Sequence, residues 1–329
     1  MSYAMRRRDF ALGACGALLL PRKAQARSTW KLATGYRAES FHTANLIAMA
    51  RDVGVATQGS FTIEIHPNNT LAKLADIRAA VQSGKVEAGE SILTSMTAEI
   101  PLAGADSVPF IVSSYADAKR MWRHQRPLLE KQFAQRGLTL LYAVPWPPQG
   151  LFCSKPVTSA ADFKGTRMRT YNPTTARIAA LLGAQGVDVP MVEVGRAFAE
   201  GRVENMITSA VTGVENKVFA QVKYFYEINA WFPKNAVFAN TQALSELEPL
   251  AREALLRAAT AAEQRGWETS EKVAAESVDE LRRNGMKVER MPREFGTDLK
   301  RLGERFSLEW VRQVGPEANG IFIPYFTQA

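Results

Sequence analysis

Cysteine and histidine are both scarce in this sequence. The 329 residues include only two cysteines, Cys15 and Cys153, and three histidines, His42, His66 and His124. So few cysteines exclude a disulfide-rich scaffold and a Cys-rich zinc site, and no histidine has metal-ligand spacing with another His or Cys. Gly-x-Ser-x-Gly, Walker and dinucleotide-binding glycine signatures are missing too. We therefore expect no metal and no cofactor.

Long apolar runs and long basic runs are also missing. No stretch after residue 26 approaches the roughly 18 apolar residues that span a bilayer. The formal charge is +8, but residues 1–26 hold five basic residues and one acid, which leaves 36 basic against 32 acidic residues elsewhere. The remaining charges are interspersed, so the composition gives no reason to expect nucleic-acid binding.

The N-terminus has the pattern of a cleavable export signal. Basic residues precede the apolar run Ala11–Leu20, and the small-x-small stretch Ala24–Ala26 follows. Arg7-Arg8-Asp9-Phe10 resembles a twin-arginine signal, which a receptor reads. An ordinary secretory signal and lipoprotein processing at Cys15 are the alternatives. We predict that 1–26 is removed, that the mature chain begins at Arg27, and that it is periplasmic.

Alternating strand and helix patterns predict an α/β fold with two lobes. A chain of 329 residues, 46% of them hydrophobic, suits two domains. Strands bounded by glycine and proline alternate with helical apolar spacing, as in βαβ units on mostly parallel sheets. The predicted strands and helices of the first half are Trp30–Thr34, Thr43–Ala56, Phe61–His66, Leu74–Gln82, Val86–Ser91, Tyr115–Gln135 (divided at Pro127) and Leu138–Val144. Those of the second half are Thr166–Thr170, Thr174–Leu182, Gly195–Glu200, Val203–Thr208 and Ala236–Ala239.

Proline-rich segments predict where the chain passes between the lobes. Pro145–Gly150 contains three prolines and continues neither a strand nor a helix, so we place the first crossing there. Pro249 opens a helical pattern that reaches Asn284-Gly285, about 50 Å at about 1.5 Å per residue. This helix should cross both lobes. The predicted division is lobe I from 27–146 plus 236–275 and lobe II from 147–235 plus 276–329, with a ligand in the hinged cleft.

Several motifs, taken in order, resemble the DctP-type solute receptors of TRAP transporters. Asp162–Arg169 is similar to the family's Asp-x-Lys-Gly-x-Lys-x-Arg signature. Leu71–Gly84, Val108–Phe110 and Ala197–Asn205 resemble further family segments, although Glu204-Asn205 replaces the usual Asp-Gly. The resemblance covers nearly all of the mature chain. It implies a two-lobed periplasmic-binding-protein-like fold with a long helix spanning both lobes. It also implies delivery of a small organic acid to the membrane permease subunits of a TRAP transporter.

Arg169 is the leading candidate ligand residue. A guanidinium binds a carboxylate through two parallel hydrogen bonds, and Arg169 ends a predicted strand, where ligands bind in open parallel sheets. It also matches the carboxylate-binding arginine of the family, whereas Arg167 is expected to form a surface ion pair. The resemblance implies supporting ligand contacts from Asn172, Thr208 and, on the loop into the second lobe, Gln149.

Aromatic residues are predicted to crowd the cleft. They are Tyr36, Trp146, Phe152, Tyr171, Trp231 and Phe232. The predicted ligand contacts include four of them, Tyr36, Trp146, Phe152 and Trp231, and Ser91 completes the set. Aromatic rings stack on flat ligands and exclude water from an ion pair. This composition favours an aromatic or bulky 2-hydroxy or 2-keto monocarboxylate such as mandelate or benzoylformate.

Two other functions remain open from the sequence. An extracytoplasmic enzyme on the same scaffold would need an acid–base pair near Arg169, for which Glu90, Glu193 and Glu204 are the candidates. A receptor that reports to a sensor kinase would have the same ligand site. Neither direct membrane insertion of the mature chain nor nucleic-acid binding is expected.

Overall fold

The computed structural model describes Met1 and residues 27–327. The predicted export signal, apart from Met1, therefore lies outside the described residues. No helix within the described ranges is both long and apolar enough to cross a membrane.

The described residues form eleven β-strands and ten α-helices, joined by short 3₁₀ turns. The strands are β1 Ser28–Thr34, β2 Phe61–His66, β3 Ala88–Ile92, β4 Leu138–Pro145, β5 Gln149–Cys153, β6 Arg167–Thr170, β7 Gln185–Asp188, β8 Asn205–Ser209, β9 Tyr224–Tyr226, β10 Lys234–Asn240 and β11 Lys287–Glu289. The helices are α1 Phe41–Ala56, α2 Ile77–Gln82, α3 Tyr115–Ala134, α4 Pro173–Leu181, α5 Val194–Ala199, α6 Ala210–Glu215, α7 Thr241–Glu246, α8 Pro249–Arg283, α9 Arg293–Val314 and α10 Asn319–Thr327.

The strands form two sheets, and each sheet is the centre of one lobe. Lobe I contains the five-stranded sheet β2-β1-β3-β10-β4, and lobe II contains the six-stranded sheet β11-β9-β5-β8-β6-β7. In each sheet one strand runs against all the others: β10 in lobe I and β5 in lobe II. Both enter their lobe directly from the other one, so each begins at the cleft edge where the other strands of that sheet end. The two-lobed α/β prediction is confirmed.

The chain crosses between the lobes at 146–148, after β4, and again at 227–233, before β10, and these two crossing segments run side by side. The backbone N–H of Trp146 donates to the Pro233 carbonyl at 2.8 Å, and the N–H of Gln149 donates to the Trp231 carbonyl at 3.0 Å. The Ala230 N–H returns a 2.9 Å bond to the Gln149 carbonyl. Paired crossings of this kind give the two lobes a common hinge.

Helix α8 also crosses both lobes, as its length predicts. It packs on α1 and β4 in lobe I and on α6 and β11 in lobe II. Gly266 allows its close approach to β4, because a Cβ at that position would overlap the Val144 side chain.

Helix α3 differs from its prediction. Pro127 was expected to divide it, yet Tyr115–Ala134 is one continuous helix with Pro127 inside. A proline in a helix costs about 3 kcal/mol through its missing N–H and the clash of its ring. Met121, Leu129 and Phe133, on either side of it, are fully buried in the lobe I core, and we attribute the continuity of the helix to that packing.

The C-terminal segment packs on both lobes. Phe295 and Leu299 of α9 lie in a core of lobe II, whereas Trp310 and the α10 residue Ile321 lie in the core built on α3 of lobe I. The sequence-based division assigned all of 276–329 to lobe II. The boundaries of the two lobes remain a prediction, but the chain passes back to lobe I within α9.

Candidate ligand site

A cavity of about 610 Å³ lies between the two lobes. Its walls come from the ends of strands in both sheets and from the loops that follow them, which is where open α/β sheets bind ligands. The residues that line it are Gly35, Tyr36, Asn69, Lys73, Leu74, Ala75, Ile92, Ser95, Trp146, Gln149, Arg169, Tyr171, Asp188, Pro190, Met191, Val192, Glu193, Thr208, Ser209, Thr212 and Pro233.

Arg169 is a buried cation that forms no direct salt bridge among the described residues. Arg169 lies near the end of β6 and is 3% exposed. Among the described residues only its Nε has a hydrogen-bond partner, the Val189 carbonyl at 3.0 Å. Burial lowers the pKa of Arg169 to about 10, opposed by Tyr171, Asp188 and Tyr36. The guanidinium stays charged at neutral pH. A buried cation of this kind is costly unless an anion joins it.

Tyr171 holds the guanidinium from one side. The Arg169 Cζ lies 4.5 Å from the centroid of the Tyr171 ring, a cation–π distance. The Tyr171 hydroxyl donates to Gln149 Oε1 at 3.1 Å, and Gln149 Nε2 donates to the Pro147 carbonyl at 3.0 Å. Burial raises the pKa of Tyr171 to about 12, so this hydroxyl remains a donor. Gln149 is therefore held in one orientation at the hinge.

Tyr36 and Trp146 form an aromatic wall on lobe I. Their ring centroids are 5.2 Å apart, and both side chains are almost fully buried. Both donate to the same amide oxygen, Asn235 Oδ1, at 3.1 Å from Tyr36 and 2.9 Å from Trp146. The wall is thus fixed by hydrogen bonds as well as by packing.

Five of the nine predicted ligand residues line the cavity. They come from β1, β6, β8 and the first crossing, and they are Tyr36, Trp146, Gln149, Arg169 and Thr208. These elements are far apart in sequence and meet because their cleft-side ends converge.

Four predicted residues lie elsewhere. Phe152 packs against Phe225, with their ring centroids 4.6 Å apart. It lies on the opposite face of β5 from Gln149, which lines the cavity. Trp231 is fully buried in a core of lobe II. Ser91 forms hydrogen bonds with the Leu74 carbonyl and the Ser95 hydroxyl.

Asn172 is the fourth residue outside the cavity, and it has two structural roles. Its Oδ1 caps α4 by accepting from the Thr175 N–H at 2.8 Å. Its Nδ2 donates to Thr94 Oγ1 at 2.9 Å, a contact from lobe II to lobe I. Both ends of the amide are thus engaged in this structure, and its predicted help to Arg169 stays a prediction.

Several residues that line the cavity were not among the predicted ligand contacts, although the sequence already predicted that Tyr171 lies in the cleft. Tyr171, Asp188 and Ser209 line the cavity and lie at or just beyond the ends of β6, β7 and β8. The rule that ligands meet the carboxyl ends of parallel strands would have found all three. Asn69 and Ser95 reach the cavity from loops, for which the sequence held no comparable signal.

A second contact joins the two lobes at the edge of the cavity, which Val192 lines. Arg37 follows β1 in lobe I and reaches across to lobe II. It donates to the Val192 carbonyl at 2.8 Å and to the Glu215 carbonyl at 3.1 Å. Its Nη2 also lies 3.4 Å from Asn216 Oδ1. With both contacts made, the two lobes meet across the cleft in this structure.

The candidate acids of the enzyme hypothesis are not assembled around Arg169. Glu90 is buried outside the cavity lining, where it accepts from the Thr34 hydroxyl at 2.7 Å. Glu204 is at the surface, 3.3 Å from Arg167, which confirms the ion pair expected for that arginine. Glu193 alone lines the cavity. Within the described ranges, no cluster of three or more metal-ligating side chains is present.

Cys153 takes no part in the site. Its thiol is buried, and burial raises its pKa well above the ordinary value. A thiol in that environment is a poor nucleophile.

The sequence model of the bacterial extracellular solute-binding proteins, family 7, also called DctP, matches residues 34–305. This chain belongs to the DctP family. Its receptors are solute-binding proteins of TRAP transporters, not enzymes, and the family resemblance found in the sequence is confirmed.

Solved DctP structures are similar over nearly the whole chain. DctP7, a Bordetella pertussis extracytoplasmic solute receptor binding pyroglutamic acid, is 36% identical with a TM-score of 0.89, over 91% of this chain and 100% of that one. A TRAP solute-binding protein from a marine metagenome, in complex with co-purified pyroglutamate, is 34% identical with a TM-score of 0.88, over 91% and 99% of the two chains. A solute-binding protein of Roseobacter denitrificans is 24% identical over 66% of this chain and 68% of its own. Small organic acids are thus the ligands of similar receptors.

Proposed function

We propose that this receptor binds a small monocarboxylate through Arg169 and delivers it to a TRAP permease. The observation that carries the proposal is the buried guanidinium on the cavity wall, which forms no direct salt bridge among the described residues. A carboxylate in the cavity would complete a charge-assisted pair with the two terminal nitrogens of Arg169. Because water is largely excluded there, such a pair would also fix the orientation of the ligand.

Pyroglutamate is the ligand that we favour. Two similar receptors that bind it are 36% and 34% identical to this chain. Pyroglutamate has one carboxylate on a compact lactam ring, which needs both a donor and an acceptor beyond the arginine. The hydroxyls of Ser95, Thr208 and Thr212 line the cavity and can supply both.

An aromatic monocarboxylate is the second candidate, as the sequence suggested. Tyr36, Trp146 and Tyr171 all line the cavity, and their rings could stack on the ring of mandelate or benzoylformate. Trp146→Ala distinguishes the two ligands. It should weaken binding of an aryl acid more than binding of pyroglutamate if the ring stacks on the ligand.

Calorimetry with purified mature protein tests the proposal. Pyroglutamate, mandelate and benzoylformate should be titrated into the wild type, Arg169→Ala and Arg167→Ala. The two arginines lie on one strand, but Arg167 is an exposed ion-pair residue, which makes it the matched control. We expect Arg169→Ala to lose several kcal/mol of binding free energy and Arg167→Ala to lose almost none. Near-native affinity of Arg169→Ala would overturn the assignment.

Export and partners complete the proposed function. We infer a periplasmic receptor, exported by a twin-arginine-like signal, whose closed form docks on the membrane permease subunits. Replacing Arg7 and Arg8 by lysine should block export if the twin-arginine route is used and leave it intact if an ordinary secretory signal is used. Reconstitution with the permease distinguishes transport from a role in sensor-kinase signalling.

A further inference from the structure

Asn235 joins the aromatic wall of the cavity to a buried carboxylate behind it. Asn235 is fully buried at the start of β10, and Glu90 is buried on the neighbouring β3. The Oδ1 of Asn235 accepts from Tyr36 and Trp146, and its Nδ2 donates to Glu90 Oε1 at 3.1 Å. Neither Asn235 nor Glu90 lines the cavity. Their contacts with a ligand are therefore indirect.

The chemistry of the partners permits only one orientation of the Asn235 amide. An indole N–H only donates, so the amide oxygen must face Trp146. An ionised carboxylate only accepts, so the amide NH₂ must face Glu90. If the amide were reversed, its NH₂ group would face the N–H of Trp146, donor against donor. Its oxygen would face the carboxylate of Glu90, acceptor against acceptor. Both mismatches would be buried, where unpaired polar groups are most costly.

Other groups hold Glu90 in place. The Thr34 hydroxyl donates to Oε2 at 2.7 Å, and His42 Nδ1 lies 3.4 Å from Oε1. The His42 ring itself packs against Trp146, with centroids 4.3 Å apart. The Glu90 carboxylate is thus held in place at one end of a chain of hydrogen bonds. The rings of Tyr36 and Trp146, on the cavity wall, are at the other end.

We propose that Glu90 and Asn235 are positioning residues that determine ligand selectivity by fixing the Tyr36 and Trp146 rings. With the amide locked, both rings have one hydrogen-bonded position, so the space beside them in the cavity keeps one shape. A planar or compact acid fits that space without first having to order the rings. This inference rests on the proposed binding of a carboxylate in the cavity.

Exchanging the amide and the carboxylate tests the proposal. Asn235→Asp keeps the acceptor for both rings but places two carboxylates face to face, and Glu90→Gln removes the charge and replaces one of the two acceptor oxygens of Glu90 with an NH₂ group. The double variant Glu90→Gln/Asn235→Asp restores one donor and one acceptor with the charge unchanged. We expect each single variant to bind the preferred acid at least tenfold more weakly than the wild type does. The ratio of its affinity for that acid to its affinity for the other acids should also fall. The double variant should recover most of the lost affinity and most of the lost preference for that acid.

The indole N–H resonance of Trp146 provides a readout that needs no ligand. It can be assigned in ¹⁵N-tryptophan-labelled protein by its loss in Trp146→Phe. We expect it to shift or broaden in Glu90→Gln and to return towards its original position in the double variant. Thermal melting of each variant shows whether it is folded.

The possible outcomes separate this proposal from the proposed function. If the wild type binds its acid and the folded single variants keep the same affinity, preference and Trp146 resonance, the positioning role is wrong. If the double variant recovers thermal stability but neither affinity nor preference, Glu90 and Asn235 serve folding alone and the proposal is also wrong. If no acid binds the wild type while the Trp146 resonance responds as expected, carboxylate binding has failed and the selectivity role fails with it, although the hydrogen-bond chain itself is present.

Discussion

Arg37 and Val192 lie on opposite sides of the cleft, and Nη2 of Arg37 donates a 2.8 Å hydrogen bond to the Val192 carbonyl. Neither the Arg37 side chain nor the Glu215 carbonyl, to which it also donates, lines the ligand cavity. These contacts can form only when the lobes meet. Val192 lines the cavity, but Arg37 does not, so these contacts can stabilise the closed form through a side chain outside the cavity and affect how long a bound ligand stays.

We predict that Arg37→Ala accelerates ligand dissociation about tenfold and changes association little. Hydrogen bonds from a charged donor contribute about 1.5–3 kcal/mol, and these exist only after closure. Stopped-flow tryptophan fluorescence measures both rates. Arg257→Ala removes an exposed ion pair of α8 and is the matched control. An unchanged dissociation rate in Arg37→Ala would contradict the assignment of these contacts to closure.

Glu215 should make stability depend on pH. Its Oε2 is buried with no hydrogen-bond partner among the described residues. Burial raises the pKa of Glu215 from 4.5 to about 7, with Arg37 lowering it and Glu39 raising it. Between these values the folded protein holds a proton that the unfolded chain has released. The resulting stability is fully present below about pH 4.5 and is lost as the pH rises through about 7.

We therefore predict that Glu215 lowers the free energy of unfolding by on the order of 2 kcal/mol between pH 5 and pH 8. Urea unfolding at both pH values measures this change. Glu215→Gln should remove the contribution, and Glu253→Gln, at an exposed ion pair, should leave it in place. An identical pH dependence in wild type and Glu215→Gln would show that this carboxyl group does not titrate in that range.

The buried pair of Asp106 and Lys234 lies next to the hinge and should contribute to the stability of the folded protein. Both side chains are 1% exposed, with Nζ 3.4 Å from Oδ2, and the Lys234 N–H donates to the same oxygen at 2.8 Å. Burial raises the pKa of Asp106 and lowers that of Lys234. Lys234 opens β10 directly after the second crossing, so this pair anchors the returning chain.

We predict that Asp106→Asn destabilises the protein by about 3–5 kcal/mol, because it leaves a buried ammonium without a counterion. The double variant Asp106→Leu/Lys234→Met should lose less than the single change, since it removes both charges. Urea unfolding of the three proteins checks this order. A double variant less stable than Asp106→Asn would mean that the charge pair is not the source of the effect.

Arg169→Lys should weaken ligand binding at least tenfold although it keeps the charge. The Nε of Arg169 donates to the Val189 carbonyl, which leaves both terminal nitrogens for a carboxylate. A lysine offers one compact ammonium and no planar fork. Calorimetry with the preferred acid measures the loss, and Arg167→Lys on the same strand is the control. Wild-type affinity in Arg169→Lys would show that two parallel hydrogen bonds are not required.

The sequence by itself determined the family, the α/β alternation, the long helix α8, the first crossing near Pro145–Gly150, and Arg169 at the end of its strand. These features depend on local signals: apolar periodicity, proline and glycine positions, and a compact motif. Each is written within a few neighbouring residues, so no tertiary contact is needed to recognise it.

Only the tertiary structure decided which face of a strand meets the cavity. All five residues of β5 are buried, so both of its faces are covered and alternation does not say that Phe152 points into a core of lobe II. The network behind the aromatic wall joins Tyr36 to Asn235, which are 199 residues apart, and no local pattern predicts such a pair. Pro127 stays within one helix, where we infer that distant packing outweighs its local cost. These outcomes depend on long-range contacts, which exist only once the chain has folded.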